Sequence, residues 1–276
     1  MASIRKPALP WRDRFLAIYR RRGWRGFVRL LDFLKPVHAD RHLLFETRFG
    51  SRFSLSPWDI VDGHVIREGF YESEVLLTLS PHLQDPNAVL WVVGANFGLH
   101  AITAKHLHPH VRVVAFEPSP AMGLRILDHC KLNHLHVELH CYALSDRPGI
   151  ANFHANDSGN PGMSTLHPTE GMTYDQRFTV ATYDAHTLIK DGRVPPPTTI
   201  ILDAEGAEEA IIRGLGSQIA APNLRHIVFE SCNDLLDTDT PSPLLTILRN
   251  AGFTLQKLER LEKTAHTQSN FLAAKP

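Results

Sequence analysis

Cysteine is scarce in this chain: Cys130, Cys141 and Cys232 are the three among 276 residues, and no two of them share a short spacing. An odd, scattered set cannot staple a disulfide framework and suits a reducing compartment. Long apolar runs are missing too. No stretch approaches the roughly 20 residues needed to span a bilayer, and the N-terminal region has no uninterrupted apolar core of a secretory signal. A soluble, cytoplasmic protein is therefore expected. Net charge cancels, with 29 Lys plus Arg against 29 Asp plus Glu. There is no G-x-S-x-G elbow, no P-loop and no H-E-x-x-H, so hydrolase, ATPase and zinc-protease readings have no support.

What remains is enough for one large α/β domain with a short appendage, or for two small domains: 43% of the residues are hydrophobic and 21% charged. Charge is unevenly spread. Residues 1–35 carry ten basic residues against Asp13 and Asp32, a net of +8, so the remainder carries −8. Within 11–35, Trp11, Phe15, Ile18, Phe27, Leu30, Leu31 and Leu34 recur at roughly helical spacing between arginines. This predicts an accessory helix capping the main domain, or a contact to a membrane surface or anionic partner. The segment has no recognisable nucleic-acid module. Leu43–Phe45 and Arg52–Leu55 predict short strands, and 71–79 a helix.

From residue 88 the pattern changes to continuous apolar runs separated by helical stretches. Strands are expected at 88–93, 111–116, 136–141, 198–203 and 226–230. Helices are expected at 99–107, 120–132, 206–219 and 243–250, with a closing hairpin from 253–258 and 270–273. Such alternation implies right-handed crossovers and a parallel sheet covered on both faces, with an antiparallel edge from the last pair. The interruption at 142–182 is expected to hold strands near 150–154 and 178–182. Its polar loop, 156–175, is either a substrate lid or a surface loop.

The chemistry gathers at strand ends. In VVGANFG, Gly94 permits a tight turn out of the first buried strand, and Gly98 permits close backbone approach. The free N–H groups beyond it suit a phosphate or carboxylate. Glu117 ends the next strand, 23 positions after Gly94, where an acid can accept both hydroxyls of a ribose. Asp203, Glu205 and Glu208 follow the 198–203 strand, and Glu230 ends the one after. Two such carboxylates can orient or deprotonate a hydroxyl, hold an ammonium or bind a divalent cation. The alternative for Glu208 is helix capping. His100, two residues past Gly98, is a further candidate base. His106, His108 and His110 alternate around Pro109 with no acid or cysteine to complete a metal site, so no metal is expected there.

Taken together, GFYESE (69–74), VGANFG (93–98), AFEPSP (115–120), Asn133, ALSD (143–146), GMSTL (162–166), TYD (182–184), LDAEGAE (202–208) and VFE (228–230) resemble the FkbM-type methyltransferases. The resemblance runs from about Gly69 to Ala273. It implies a Rossmann-like, doubly wound mixed sheet of about seven strands (the class I methyltransferase type), with residues 1–68 as a small helical and strand appendage and 142–182 as an insertion in the 69–276 domain. It implies S-adenosylmethionine as cofactor and a hydroxyl of a sugar or small natural product as methyl acceptor. Gly94, Ala95, Asn96 and Gly98 would surround the cofactor's methionine part. Glu117 and Pro118 would lie at the ribose, Tyr142 and Ala143 would border the adenine, and Asp203 and Glu205 would face the reaction centre. Three positions depart from the family pattern: Val92 stands where an acid is usual, Ile201 where a lysine is usual, and His129 where asparagine is frequent. Losing a charge-assisted contact can cost ~1.5–3 kcal/mol. The second reading is accordingly a methyltransferase-fold binding or partner protein with weakened or no turnover. A nucleotide-dependent dehydrogenase is a third.

Overall fold

The computed structural model describes residues 42–156, 164–168, 171, 173–232, 235–236, 242–261 and 268–276. The helix expected at 11–35 lies outside these residues. The chain first forms an antiparallel hairpin, β1 (Leu43–Glu46) and β2 (Arg52–Leu55). Two helices follow. The first, α1 (Ile60–Glu68), has no counterpart in the apolar pattern of the sequence; it is set instead by capping. The Asp59 carboxylate accepts the N–H groups of Val61 and Asp62, and Gly69 closes the other end with φ 85°. The second, α2 (Ser73–Leu79), begins two residues later than the expected helix because Glu72 adopts a left-handed φ of 54°.

The central sheet contains β3 (Val89–Val93), β4 (Arg112–Phe116), β5 (Glu138–His140), β9 (Thr199–Leu202), β10 (His226–Cys232), β11 (Thr254–Lys257) and β12 (Gln268–Ala274). Its order is β11-β12-β10-β9-β3-β4-β5. All pairs from β10 to β5 are parallel, and β12 runs antiparallel to both β10 and β11. The helices between are α3 (Leu99–Leu107), α4 (Pro120–Asn133), α6 (Glu208–Gly214) and α7 (Pro243–Asn250). The helix expected at 206–219 is shorter than that, passing into a 3-10 turn at Gly216–Ala220.

Alternate residues of the strands feed two cores, as a sheet covered on both faces requires. Leu90, Val92, Val113, Ala115, Ile201 and Val228 pack with Phe53, Leu76, Phe97, Ile102 and Ile126 on the side of the hairpin and α1–α4. Trp91, Val93, Val114, Phe116, Ile200, Leu202 and Phe229 pack with Leu188, Ile211, Ile212 and Leu245 on the other. This is the class I, Rossmann-like arrangement with a small N-terminal appendage.

The insertion after β5 is more than a loop. It contributes β6 (Ala143–Ser145), β7 (Gly149–Ala155) and β8 (Gln176–Asp184), which form a separate sheet ordered β6-β8-β7, and then α5 (Ala185–Lys190). The strand β6 and helix α5 were not expected from the sequence pattern. No helix among the described residues is long and apolar enough to cross a membrane.

Candidate active site

The chain order reverses direction in the sheet between β3 and β9, and a crevice opens at the carboxyl ends of strands there. A cavity of about 290 Å³ occupies it. At Gly94 the backbone bends with φ 76°, and a Cβ there would lie 1.7 Å from the carbonyl oxygen of Asp203. Only glycine lets the two strand ends come this close. Gly94, Ala95 and Asn96 line the cavity. Gly98 does not: a Cβ there would meet Ile102 and Ile126 at 3.0 and 3.2 Å, so this glycine serves the packing of α3 on α4 rather than the cavity wall.

Glu117, at the end of β4, is 5% exposed and sits directly beside the glycine turn. Its Oε2 accepts the Asn96 N–H at 2.8 Å and its Oε1 accepts the Ser119 N–H at 2.8 Å. A carboxylate has about four acceptor sites, so each oxygen keeps one for a ligand hydroxyl. Burial raises its pKa from 4.5 to about 7, against the lowering effect of the two N–H groups. Asn96 itself holds a left-handed φ of 49°, and its buried Oδ1 has no hydrogen-bond donor from the protein. Pro118, Tyr142 and Ala143 continue the same wall with Phe116, Met122 and Leu144. Tyr142 packs against Tyr183, with ring centroids 4.7 Å apart. A paired acceptor, an apolar slot and an orphaned carbonyl oxygen along one crevice fit a nucleoside whose far end carries a donor such as an ammonium.

Two to three strands along the sheet, roughly 10–14 Å from β4 by ordinary strand spacing, the other end of the cavity is acidic. Asp203 follows β9, and burial, then Glu230 and Glu205, hold its pKa well above the usual carboxylate range. Glu205 has φ 48°; burial followed by Glu230 and Glu208 raises its pKa to about 7. Its carbonyl accepts the Thr165 hydroxyl at 2.7 Å, which ties the inserted segment to this turn. Ser164, Thr165 and Leu166 thus reach the cavity wall. Glu208 does not cap α6 but braces the turn before it: its two oxygens accept the N–H groups of Ala204 and Gly206. His100 lines the same cavity and packs edge-on to Phe70 at 5.5 Å. Glu230 also lies on the wall, two residues before the end of β10, which runs on past the expected end at 230.

Sequence reasoning missed a second layer of this end. Glu72 and Asn270 line the cavity and are 6% and 3% exposed. Arg260 places Nη2 3.4 Å from Glu72 Oε1 and 3.2 Å from Glu230 Oε1, while donating to the Gln268 carbonyl at 2.9 Å. Asn270 pairs with Glu230 in the β10–β12 register and donates to Glu74 Oε1 at 3.1 Å. The available signals were two acids at the head of an otherwise apolar helix and one asparagine within an apolar edge strand.

The departures from the family pattern have a structural setting. Val92 and Ile201 are partners in the β3–β9 register, 3% and 5% exposed. An apolar pair therefore stands where the family pattern would place an acid and a lysine side by side. His129 is buried against the hairpin, its Nδ1 2.9 Å from the Phe97 carbonyl and its Nε2 accepting the Ser54 N–H at 3.1 Å. The histidines of the α3–β4 loop make structural contacts, His108 to Ser80 and His110 to the Leu83 carbonyl. Among the described residues no cluster of three or more histidine, cysteine or carboxylate side chains could hold a metal ion.

Strand order, the glycine turn after β3 and the buried acid at the end of β4 together define a class I methyltransferase architecture. The Methyltransferase FkbM domain matches residues 93–255, more than half of the chain, and the protein belongs to that family. The hexuronic acid methyltransferase AglP of Haloferax volcanii is 27% identical over 158 residues, which cover 57% of this chain and 62% of that relative. The match thus spans less than two thirds of the relative's length. Among solved structures, a precorrin-6y C5,15-methyltransferase of Geobacter metallireducens superposes with a TM-score of 0.45 at 17% identity, covering 74% of this chain and 88% of the other. Magnesium protoporphyrin IX methyltransferase of Synechocystis gives 0.43 at 11% identity, covering 98% and 100%. The fold assignment rests on strand order, not on these superpositions.

Proposed function

We propose that the protein transfers a methyl group from S-adenosylmethionine to a hydroxyl oxygen of a sugar or small natural product. The observation that carries this reading is Glu117, buried beside the glycine turn and in one cavity with Asp203 and Glu205. When bound, the cofactor supplies an electrophilic methyl on a sulfonium. Glu117 accepts the ribose hydroxyls, Asn96 Oδ1 takes a donor from the methionine end, and Tyr142 with Ala143 flanks the base. Asp203 or Glu205 orients the acceptor hydroxyl and takes its proton as the new O–C bond forms and the S–C bond breaks. Glu205, raised to about 7, is a better base than an ordinary carboxylate. His100 is a further candidate for that proton. Much of the remaining contribution is alignment with water excluded, to which Thr165 and Leu166 contribute from the inserted segment.

The reading with weakened or no turnover drew on Val92 and Ile201. Their pairing weakens that case, because the two substitutions together remove a buried charge pair rather than orphaning one charge. The proposal carries with it a cytoplasmic protein, a small-molecule or glycan substrate rather than a nucleic acid, and residues 11–35 as an accessory segment to the main domain or a contact to an anionic surface. It treats 69–276 as the methyltransferase domain and 1–68 as an appendage. The test is mass spectrometry of a hydroxyl-compound panel incubated with protein and S-adenosylmethionine. A gain of one methylene mass that disappears with Asp203→Asn plus Glu205→Gln supports it; unchanged turnover in that double variant overturns the assigned roles.

A further inference from the structure

The described residues that line the cavity include five carboxylates, Glu72, Glu117, Asp203, Glu205 and Glu230, and no lysine or arginine. Glu117 lies at the β4 end. The other four surround the end bounded by α2, β9, β10 and β12. The nearby cation, Arg260, does not line the cavity; it pairs with two of those acids, Glu72 and Glu230, and donates to the Gln268 carbonyl, leaving the acids in excess. Glu72 is the telling member. It stands at the N-cap of α2 yet makes no capping hydrogen bond, so its carboxyl is not there to close the helix. It is 6% exposed and lines the cavity; its carboxyl takes a hydrogen bond from Asn270, and its Oε1 is ion-paired with Arg260 at 3.4 Å without a hydrogen bond. A carboxyl held in this way keeps acceptor capacity that a ligand donor can fill.

We infer that the acceptor end of this cavity takes a neutral or amine-bearing hydroxyl compound and rejects one carrying a carboxylate, with Glu72 as a residue that sets the preference. The inference rests on the methyl-transfer reading and refines its substrate class. Hydroxyl or ammonium donors suit the acceptor positions of Glu72, Glu230 and Asp203 that Arg260 leaves open. A carboxylate adds a further negative charge to a site where burial and neighbouring acids already hold Glu72, Asp203 and Glu205 above their usual range, so it enters only if those acids take up protons. The direction is opposite to what an Arg-lined uronate pocket would show.

The probes are methyl glucosaminide, methyl glucoside and methyl glucuronide, titrated at pH 8 into the full-length protein saturated with S-adenosylhomocysteine. Binding is followed by calorimetry or ligand-observed magnetic resonance. The amine is expected to bind at least tenfold more tightly than the acid, with the neutral sugar between them. Glu72→Gln is expected to shrink the amine-to-acid ratio at least threefold while S-adenosylhomocysteine affinity stays within twofold. A glucuronide that binds as well as the amine, or the absence of binding by all three, overturns the inference. So does a Glu72→Gln protein that loses cofactor-product affinity and keeps the sugar ratio, since Glu72 would then serve the cofactor. Failure of the wild-type protein to bind S-adenosylhomocysteine at all is a separate result and counts against the methyl-transfer reading itself.

Discussion

Replacing Glu117 by glutamine gives a test in which stability and ligand affinity move in opposite directions with pH. In the folded, ligand-free protein, burial lifts this carboxyl from 4.5 to about 7. A group raised on folding stabilises the native state fully below its unfolded value, and that contribution is lost as the pH climbs through the folded value. Holding Glu117 ionised at pH 8 therefore costs about 3 kcal/mol. Glutamine removes that cost but keeps only one acceptor oxygen for the two N–H groups of Asn96 and Ser119, a loss of ~1 kcal/mol. The variant should be more stable than wild type by about 2 kcal/mol at pH 8 and less stable by ~1 kcal/mol near pH 4, a difference that changes sign. For a chain of this size each kcal/mol moves Tm by roughly 2–4 °C, well within reach of a melting scan. Ligand binding runs the other way. Two ribose hydroxyls donate best to the ionised form, of which only about a tenth is present at pH 6. Affinity for S-adenosylhomocysteine should fall about tenfold between pH 8 and 6 in wild type and stay flat and weak in Glu117→Gln. A wild-type affinity independent of pH, with a constant melting offset in the variant, would refute both the titration and the ribose assignment.

Gly94→Ala should lower stability by roughly 4 kcal/mol or more and abolish cofactor binding, because the new Cβ would lie 1.7 Å from the Asp203 carbonyl oxygen and φ is 76°; melting and calorimetry check this. Gly98→Ala meets only Ile102 and Ile126 side chains and a φ of 90°, so it should cost about 1–2 kcal/mol with cofactor affinity retained in the folded fraction. Ile201→Lys alone should destabilise by about 3–5 kcal/mol, since it buries an unpaired charge beside Val92. Adding Val92→Asp should recover at least ~1 kcal/mol of that in a double-mutant cycle, and additive losses would reject the proposed pairing. Thr165→Val removes the hydroxyl that holds the Glu205 carbonyl. It should raise the acceptor KM several-fold while leaving S-adenosylhomocysteine affinity unchanged.

The parallel core was legible because its strands carry an unmixed signal. VLWVV and TIIL are apolar on both faces, and only a strand covered on both sides tolerates that. Their ends were legible for the same reason: the first polar residue after such a run falls on the carboxyl edge, which located Glu117, Asp203 and Glu230. Helix α1 was not legible, since its identity lies in the Asp59 cap and the Gly69 stop rather than in a clean apolar stripe. The sheet of β6, β7 and β8 was only half visible. Its β6 is three residues long and pairs in parallel with β8, a partner more than thirty positions away.

The same reasoning explains why the acceptor end of the site was under-read. A periodicity argument assigns a residue to a face, and it discards acids in apolar helices as surface positions. Glu72 escapes it because a left-handed φ turns the chain just before α2 and carries the side chain inward. Arg260 escapes it because nothing local distinguishes it from any other loop arginine; its meaning comes from Glu72 and Glu230, on two other elements. Val92 and Ile201 show the converse. Each looks like a separate defect when the chain is compared with its family position by position, and the β3–β9 register makes them one exchange. Strand-end carboxylates can be found by position along the chain, but which of them share a charge environment is a property of strand order, and strand order gathers Glu72, Asp203 and Glu230 around one end of the cavity.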